Sequence, residues 1–123
     1  MDVRITDAEL DVMEALWAAG QPLTAAEVAE RIGTDREWTL ATVKTMLSRL
    51  AAKGALKHRE DGRRFLYSPA IKRDAFVGNE SRRFVDKMFG GRLSPLVARL
   101  AEEDALDAKD IAEIEALLKE LKS

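Results

Sequence analysis

Apolar residues recur at steps of three and four along the first fifty positions, in three stretches separated by glycine. The first stretch carries Leu10, Met13, Leu16 and Trp17 behind Thr6 and Glu9, and stops near Gly20. A Thr with a Glu three residues later forms a capping box, in which each side chain bonds the other's backbone N–H, so a helix is predicted to open at Thr6. Thr24 and Glu27 repeat the signal after Pro22, with Val28 and Ile32 turned inward and Gly33 just past the last turn. This predicts a second, shorter helix. Thr39 caps a third, whose apolar stripe is Val43, Met46, Leu47 and Leu50 and whose stop is Lys53 followed by Gly54.

After Gly54 the pattern changes. Ala55 to Glu60 and Arg63 to Ser68 read as two short strands around Asp61-Gly62, a pair that readily takes the positive backbone angles of a tight hairpin turn. Pro69 closes the second strand because it cannot continue a ladder. Ile71, Phe76, Val77, Phe84, Val85, Met88 and Phe89 predict a long fourth helix ending at Gly90-Gly91, with Gly78 a weak point inside it. Ser94-Pro95 reads as an N-cap and first helical position for a fifth helix containing Leu96, Val97 and Leu100. Asp107 caps a sixth, in which Ile111, Ile114, Leu118 and Leu121 form a narrow seam suited to a partner helix. The expected fold is mainly α with a small β-hairpin: a winged helix-turn-helix domain over 1–69, followed by a helical dimerisation domain over 70–123.

Charge sharpens this picture. The chain of 123 residues has a net charge of only −2, but the sum hides a segregation. Arg36 to Tyr67 holds eight Lys or Arg (Arg36, Lys44, Arg49, Lys53, Lys57, Arg59, Arg63, Arg64) against Glu37, Glu60 and Asp61, a local +5. Residues 1–35 carry −6 and residues 99–123 carry −4. Local field attracts a polyanion more than total charge does, although a basic cluster taken alone is more often an ordinary solvated face. No apolar run approaches the roughly 20 residues that span a bilayer, and Met1 to Asp11 is acidic without a signal-peptide core, so a cytoplasmic chain with no membrane insertion is expected. Without cysteine there is no disulfide framework and no Cys-based metal site.

If the third helix buries its apolar stripe, about 100 degrees per residue places Ala41, Thr45, Ser48 and Ala52 opposite, flanked by Thr42, Lys44 and Arg49. A face this small and polar can sink into a major groove about 12 Å wide, with Thr39 at the helix start and Lys or Arg at the margins reaching guanine edges or phosphates. Thr42 and Thr45 can donate to phosphate or touch a thymine methyl. Arg59, Arg63 and Arg64 on the hairpin can engage flanking phosphates or the minor groove. Trp38 and Trp17 are expected to pack inside, and Phe65 and Tyr67 to cover the helices from one strand face. Candidate catalytic chemistry is thin. His58 is the sole histidine and reads as a half-buried hairpin residue, which leaves no multi-histidine metal site within one chain. No phosphate-loop or dinucleotide fingerprint is present, and no cofactor is expected.

Three segments carry a resemblance to a known family. Thr6 to Trp17 (TDAELDVMEALW), Trp38 to Gly54 (WTLATVKTMLSRLAAKG) and His58 to Pro69 (HREDGRRFLYSP) resemble the penicillinase repressors of the BlaI/MecI type, whose relatives include copper-responsive regulators. The resemblance implies a helical dimerisation domain, a palindromic operator upstream of β-lactamase or other genes, and, in members paired with a membrane sensor protease, relief of repression by cleavage. The family's cleavage bond, between Asn and Phe, falls here at Arg99-Leu100, where the sequence departs from the family pattern. The cysteine cluster of the copper-responsive branch is absent.

The expected function is therefore a repressor that binds double-stranded operator DNA as a homodimer. Phe84, Met88, Leu96, Leu100, Ile111, Ile114, Leu118 and Leu121 would join two copies, setting two recognition helices about one DNA turn, roughly 34–36 Å, or a multiple apart. Two alternatives stay open at this point: a winged helix that binds proteins, and a ligand-responsive regulator.

Overall fold

The computed structural model describes residues 3–123, apart from the side chains of Thr34 and Asp35; Met1 and Asp2, the start of the acidic stretch Met1 to Asp11, lie outside the described residues. The chain divides into two compact units, 1–79 and 80–123.

The first unit opens with α1 (Asp7–Ala19), α2 (Ala25–Ile32) and α3 (Leu40–Ala52). Both expected capping boxes form: Thr6 N donates to Glu9 Oε1 at 2.9 Å and Glu9 N to Thr6 Oγ1 at 3.1 Å, and Thr24 and Glu27 repeat the exchange. Thr39 caps α3 by accepting from Thr42 N at 3.1 Å. Gly20 ends α1 in the left-handed region, with φ 66 and ψ 11. Between α2 and α3 a short 3-10 turn, Gly33–Arg36, was not foreshadowed by any apolar period. The core lies among these helices. Val12, Met13 and Leu16 from α1, Val28 from α2 and Val43, Leu47 and Leu50 from α3 are all essentially inaccessible to solvent. Each such side chain contributes about 1.5–3 kcal/mol. Met46 and Trp38 are half-buried against that cluster.

The hairpin consists of β1 (Leu56–Asp61) and β2 (Arg64–Pro69), antiparallel, with His58 opposite Tyr67 and Asp61 opposite Arg64. Its root is anchored at Leu56 and Ala55, both buried. A second anchor was not visible in the sequence: Leu23, just before α2, forms a one-residue bridge with Tyr67. Leu23 N donates to the Tyr67 carbonyl at 2.9 Å and Tyr67 N to the Leu23 carbonyl at 2.7 Å. The bridge ties the hairpin to the loop that launches α2. Trp17, expected in the core, is half-buried at its edge; its indole N–H donates to the Ile71 carbonyl at 3.0 Å, and its ring meets Phe76 at 5.7 Å.

One buried charge braces the three-helix core. Glu9 is 2% exposed, and its Oε1 accepts both the Thr6 N–H and, at 2.5 Å, the Lys53 ammonium. The pair links the start of α1 to the end of α3. Burial pushes the Glu9 carboxyl up, but the bonds from Lys53 and Thr6 outweigh it and hold the group below its ordinary value.

A fourth helix, α4 (Arg73–Phe89), runs without interruption through Gly78 from the first unit into the second. The second unit continues with α5 (Leu93–Glu102) and α6 (Ala108–Lys122). Asp107 caps α6 as expected, accepting from Asp110 N at 2.7 Å. Ser94 does not cap α5: the helix already begins at Leu93, after Arg92, which makes no side-chain cap. Pro95 consequently falls at the third helical position, still in the first turn where its missing N–H has no helical partner to lose.

Because folded Glu9 releases its proton at lower pH than the unfolded chain does, the unfolded state binds more protons in the acid range. The stabilisation is therefore complete above the ordinary carboxylate value of 4.5 and is lost as pH falls below it. Urea unfolding at pH 7 and pH 3.5 is expected to show this loss. In Glu9→Gln, stability at pH 7 drops by about 1–3 kcal/mol and the acid-dependent part shrinks; an unchanged pH profile in the variant would refute the assignment.

Candidate nucleic-acid interface

The face of α3 opposite its buried stripe is open to solvent. Ala41, Lys44, Thr45, Ser48, Arg49 and Ala52 are all exposed, and Thr42 is half-buried at the margin. Local bonds already engage three threonines. The Thr45 hydroxyl donates back to the Ala41 carbonyl at 3.0 Å, and the Thr42 and Thr39 hydroxyls meet at 3.1 Å. Thr45 therefore presents its methyl group and its oxygen lone pairs rather than a proton.

On the hairpin, Arg59, Arg63 and Arg64 are exposed. The turn is placed one residue later than the Asp61-Gly62 reading: Asp61 pairs with Arg64, so Gly62 and Arg63 are its two central residues. Gly62 has φ +68 and Arg63 is not in the positive region, the arrangement of a type II′ turn, which needs glycine at the first central position only. Arg63 is carried to the very tip as a result. Two other readings are corrected here. His58 is exposed rather than half-buried, and its ring meets Phe65 at a tilt (5.1 Å) and Tyr67 edge-on (6.0 Å). Phe65 does not cover the helices: it is 43% exposed, while Tyr67 alone packs on the core. Both follow from register, since the strand face that buries Leu56 at its root leaves the helices behind as it extends to the tip.

Ion pairing divides the eight cations between Arg36 and Arg64. Arg36 bonds Asp11 at 2.5 Å, Lys53 bonds Glu9, and Arg64 bonds Asp61 at 3.1 Å. Arg64 also stands near Glu27, whose carboxyl is held below its ordinary value first by the Thr24 backbone N–H, then by the Thr24 hydroxyl and, more weakly, by Arg64. Among the described residues no carboxylate lies within ion-pair distance of Lys44, Arg49, Lys57, Arg59 or Arg63. Arg36 and Lys53, which tie α1 to the rest of the first unit, are matched, and so is Arg64 beside the turn; Lys44 and Arg49 on α3 and Lys57, Arg59 and Arg63 on the hairpin are not, among the described residues.

A groove of about 550 Å³ separates the two elements. Leu40, Lys44 and Ser48 form its α3 wall, and Arg63, Arg64, Phe65 and Tyr67 its hairpin wall. Thr24, Ala25 and Ala26 at the start of α2 close the end, so the positive end of that helix's dipole opens on the same space. Small residues, unmatched cations and a helix N-terminus on one concave surface suit a polyanionic duplex. The model of the penicillinase repressor family matches residues 5–120. This chain belongs to the penicillinase repressor family. It is 34% identical to the penicillinase repressor of Bacillus licheniformis over 120 residues, 98% of this chain and 93% of that one. With the methicillin resistance regulatory protein MecI of Staphylococcus aureus strain N315 it shares 26% over 114 residues, 93% and 92% of the two chains. Among solved structures, the DNA-binding domain of the repressor BlaI is 39% identical and aligns over 59% of this chain and 90% of its own, with a TM-score of 0.52. The Bacillus licheniformis BlaI monomeric form in complex with the blaP half-operator aligns over 58% and 85% at 39% identity and TM-score 0.50. Apo MarR of Escherichia coli, 22% identical over 95% of this chain and 77% of its own with a TM-score of 0.53, shares the fold.

In the second unit of this family member the structure leaves most of the expected pairing residues open. Phe84, Met88, Leu100, Ile111, Leu118 and Leu121 are exposed, Leu121 by 82%, while Leu96 and Ile114 are half-buried. Neither α5 nor α6 buries a single residue. Leu93 and Leu117, at 61% and 59%, belong to the same exposed set and were missed because the sequence reading followed only the strictest seam. The Arg99-Leu100 bond lies inside α5, where Arg99 pairs with Glu102 at 3.4 Å and Glu103 at 3.7 Å.

Gly62→Ala puts a Cβ into open space but forces an L residue to a positive φ, at a cost of about 1–2 kcal/mol. Hydrogen exchange at the hairpin amides is expected to quicken while the helical core keeps its protection. Unchanged exchange there would contradict the turn assignment.

Proposed function

We propose that this chain represses transcription by binding operator DNA as a homodimer, α3 lying in the major groove and the hairpin against the adjoining backbone. The family is one of repressors, and the role is recognition rather than catalysis. One observation carries the reading most directly: the outer face of α3 is small and polar, and Lys44 and Arg49 beside it and Arg59 and Arg63 on the hairpin lack carboxylate partners among the described residues. A polyanion supplies the partners they lack and releases condensed counterions in the process.

Dimerisation has separate support. A monomeric soluble chain rarely leaves so many large apolar side chains uncovered on two successive helices, and a second copy joined about a twofold axis would bury them against themselves. Two α3 helices on a twofold axis match two half-sites of a palindrome, and occupancy of that site excludes polymerase. Such a protein works in the cytoplasm, where the DNA is; among the described residues no helix is long and apolar enough to cross a membrane.

Fluorescence anisotropy on DNA from upstream of its own gene tests the proposal. Affinity is expected to fall steeply with salt, and Lys44→Ala and Arg63→Ala each to lower the slope of log affinity against log salt by about 1. No preference over random duplex would overturn the reading. Sedimentation velocity should find a dimer, and Leu118→Asp should give monomers that still bind an isolated half-site but lose most of their affinity for the full palindrome.

A further inference from the structure

Large apolar side chains are costly to leave in water, and the first unit leaves few. Among its described residues only Leu40 and Phe65, both 43% exposed, and Val77, 39%, are of this kind. Leu40 and Phe65 come from distant parts of the sequence yet line the same groove from opposite walls. Neither position is accidental. Leu40 is the first residue of α3, set by the Thr39 cap, and shares one helical edge with Lys44 and Ser48. Phe65 is held by ring contacts with His58 at 5.1 Å and Tyr67 at 6.5 Å, and Tyr67 is in turn tied by its backbone to Leu23. The two walls are therefore positioned by the fold rather than by flexible side chains.

The same two walls carry Lys44 and Arg63, cations without carboxylate partners among the described residues. Their charge selects a polyanion as occupant, and a nucleic-acid strand alternates phosphates with carbon-rich sugar edges and, at thymine, a methyl group. We propose that Leu40 and Phe65 form an apolar clamp on one DNA strand, packing on its deoxyribose and thymine-methyl carbons while Lys44 and Arg63 take the phosphates. This rests on the DNA-binding reading above and adds a salt-independent component to it. Apolar contact releases no counterions, so it leaves the salt slope untouched.

The test compares full-length wild type, Leu40→Ala, Phe65→Ala, the conservative Leu40→Met and Phe65→Leu, and Lys44→Ala in operator anisotropy across a salt series. Thermal unfolding serves as the folding control. Leu40→Ala and Phe65→Ala are each expected to weaken binding about tenfold at every salt concentration with the slope unchanged. The conservative variants should stay within about twofold, and Lys44→Ala alone should lower the slope. Deoxyuridine in place of thymine separates the two carbon sources: wild-type binding that weakens assigns the methyl group, and binding that holds assigns the sugar edges. Alanine variants that bind like wild type, or that lower the slope as Lys44→Ala does, overturn the clamp while the DNA-binding reading stands. Wild type that shows no operator preference overturns both.

Discussion

Burial of Val43, Leu47 and Leu50 sets the rotation of α3, and the outward surface of the first unit follows from that rotation. A helix has only one azimuth at which these three side chains leave water together. At that azimuth Ala41, Thr45, Ser48 and Ala52 must point out, with Lys44 and Arg49 at the margins. A core of this size contributes enough that no surface interaction of a few tenths of a kcal/mol can turn the helix. The Glu9–Lys53 pair works in the same direction from the other end, fastening the last turn of α3 to the cap of α1. The open polar face of α3 and the hydrophobic core are two faces of one decision about packing.

Electrostatics then separates structural cations from available ones. Lys53 and Arg36 meet carboxylates from α1, Glu9 and Asp11. Lys44, Arg49, Arg59 and Arg63 have no carboxylate within ion-pair distance among the described residues. The +5 seen along the sequence therefore overstates the charge of some positions and understates the concentration of the rest. What remains unmatched is spread over α3 and the hairpin, the elements that flank the groove.

Apolar surface is treated differently in the two units. The first encloses nearly all of it, and its two exceptions within the groove stand beside cations. The second encloses almost none, its helices carrying apolar stripes without a buried residue in α5 or α6. Helices in such a state gain stability from covering one another or a copy of themselves rather than from their own caps and propensities. Membership of the penicillinase repressor family spans both units, so the two treatments belong to one design.

Local chemistry was legible in the sequence wherever neighbours within four residues decide it. The capping boxes at Thr6 and Thr24, the cap at Asp107, the stops at Gly20 and Gly54, the inward stripe of α3 and the existence of the hairpin all obey rules of that range. Register at the turn was not, because Asp61-Gly62 and Gly62-Arg63 both satisfy the local preference for glycine, and only the pairing of Leu56 with Pro69 at the root chooses between them. The start of α5 was likewise ambiguous, Ser94 being an acceptable cap although the helix has its N-cap two residues earlier, at Arg92. Partners far apart in the chain were decided by the tertiary structure alone: Lys53 on Glu9, Leu23 on Tyr67, Phe65 across the groove from Leu40. Those contacts depend on how three helices and a ribbon close around a shared core, which no periodicity records.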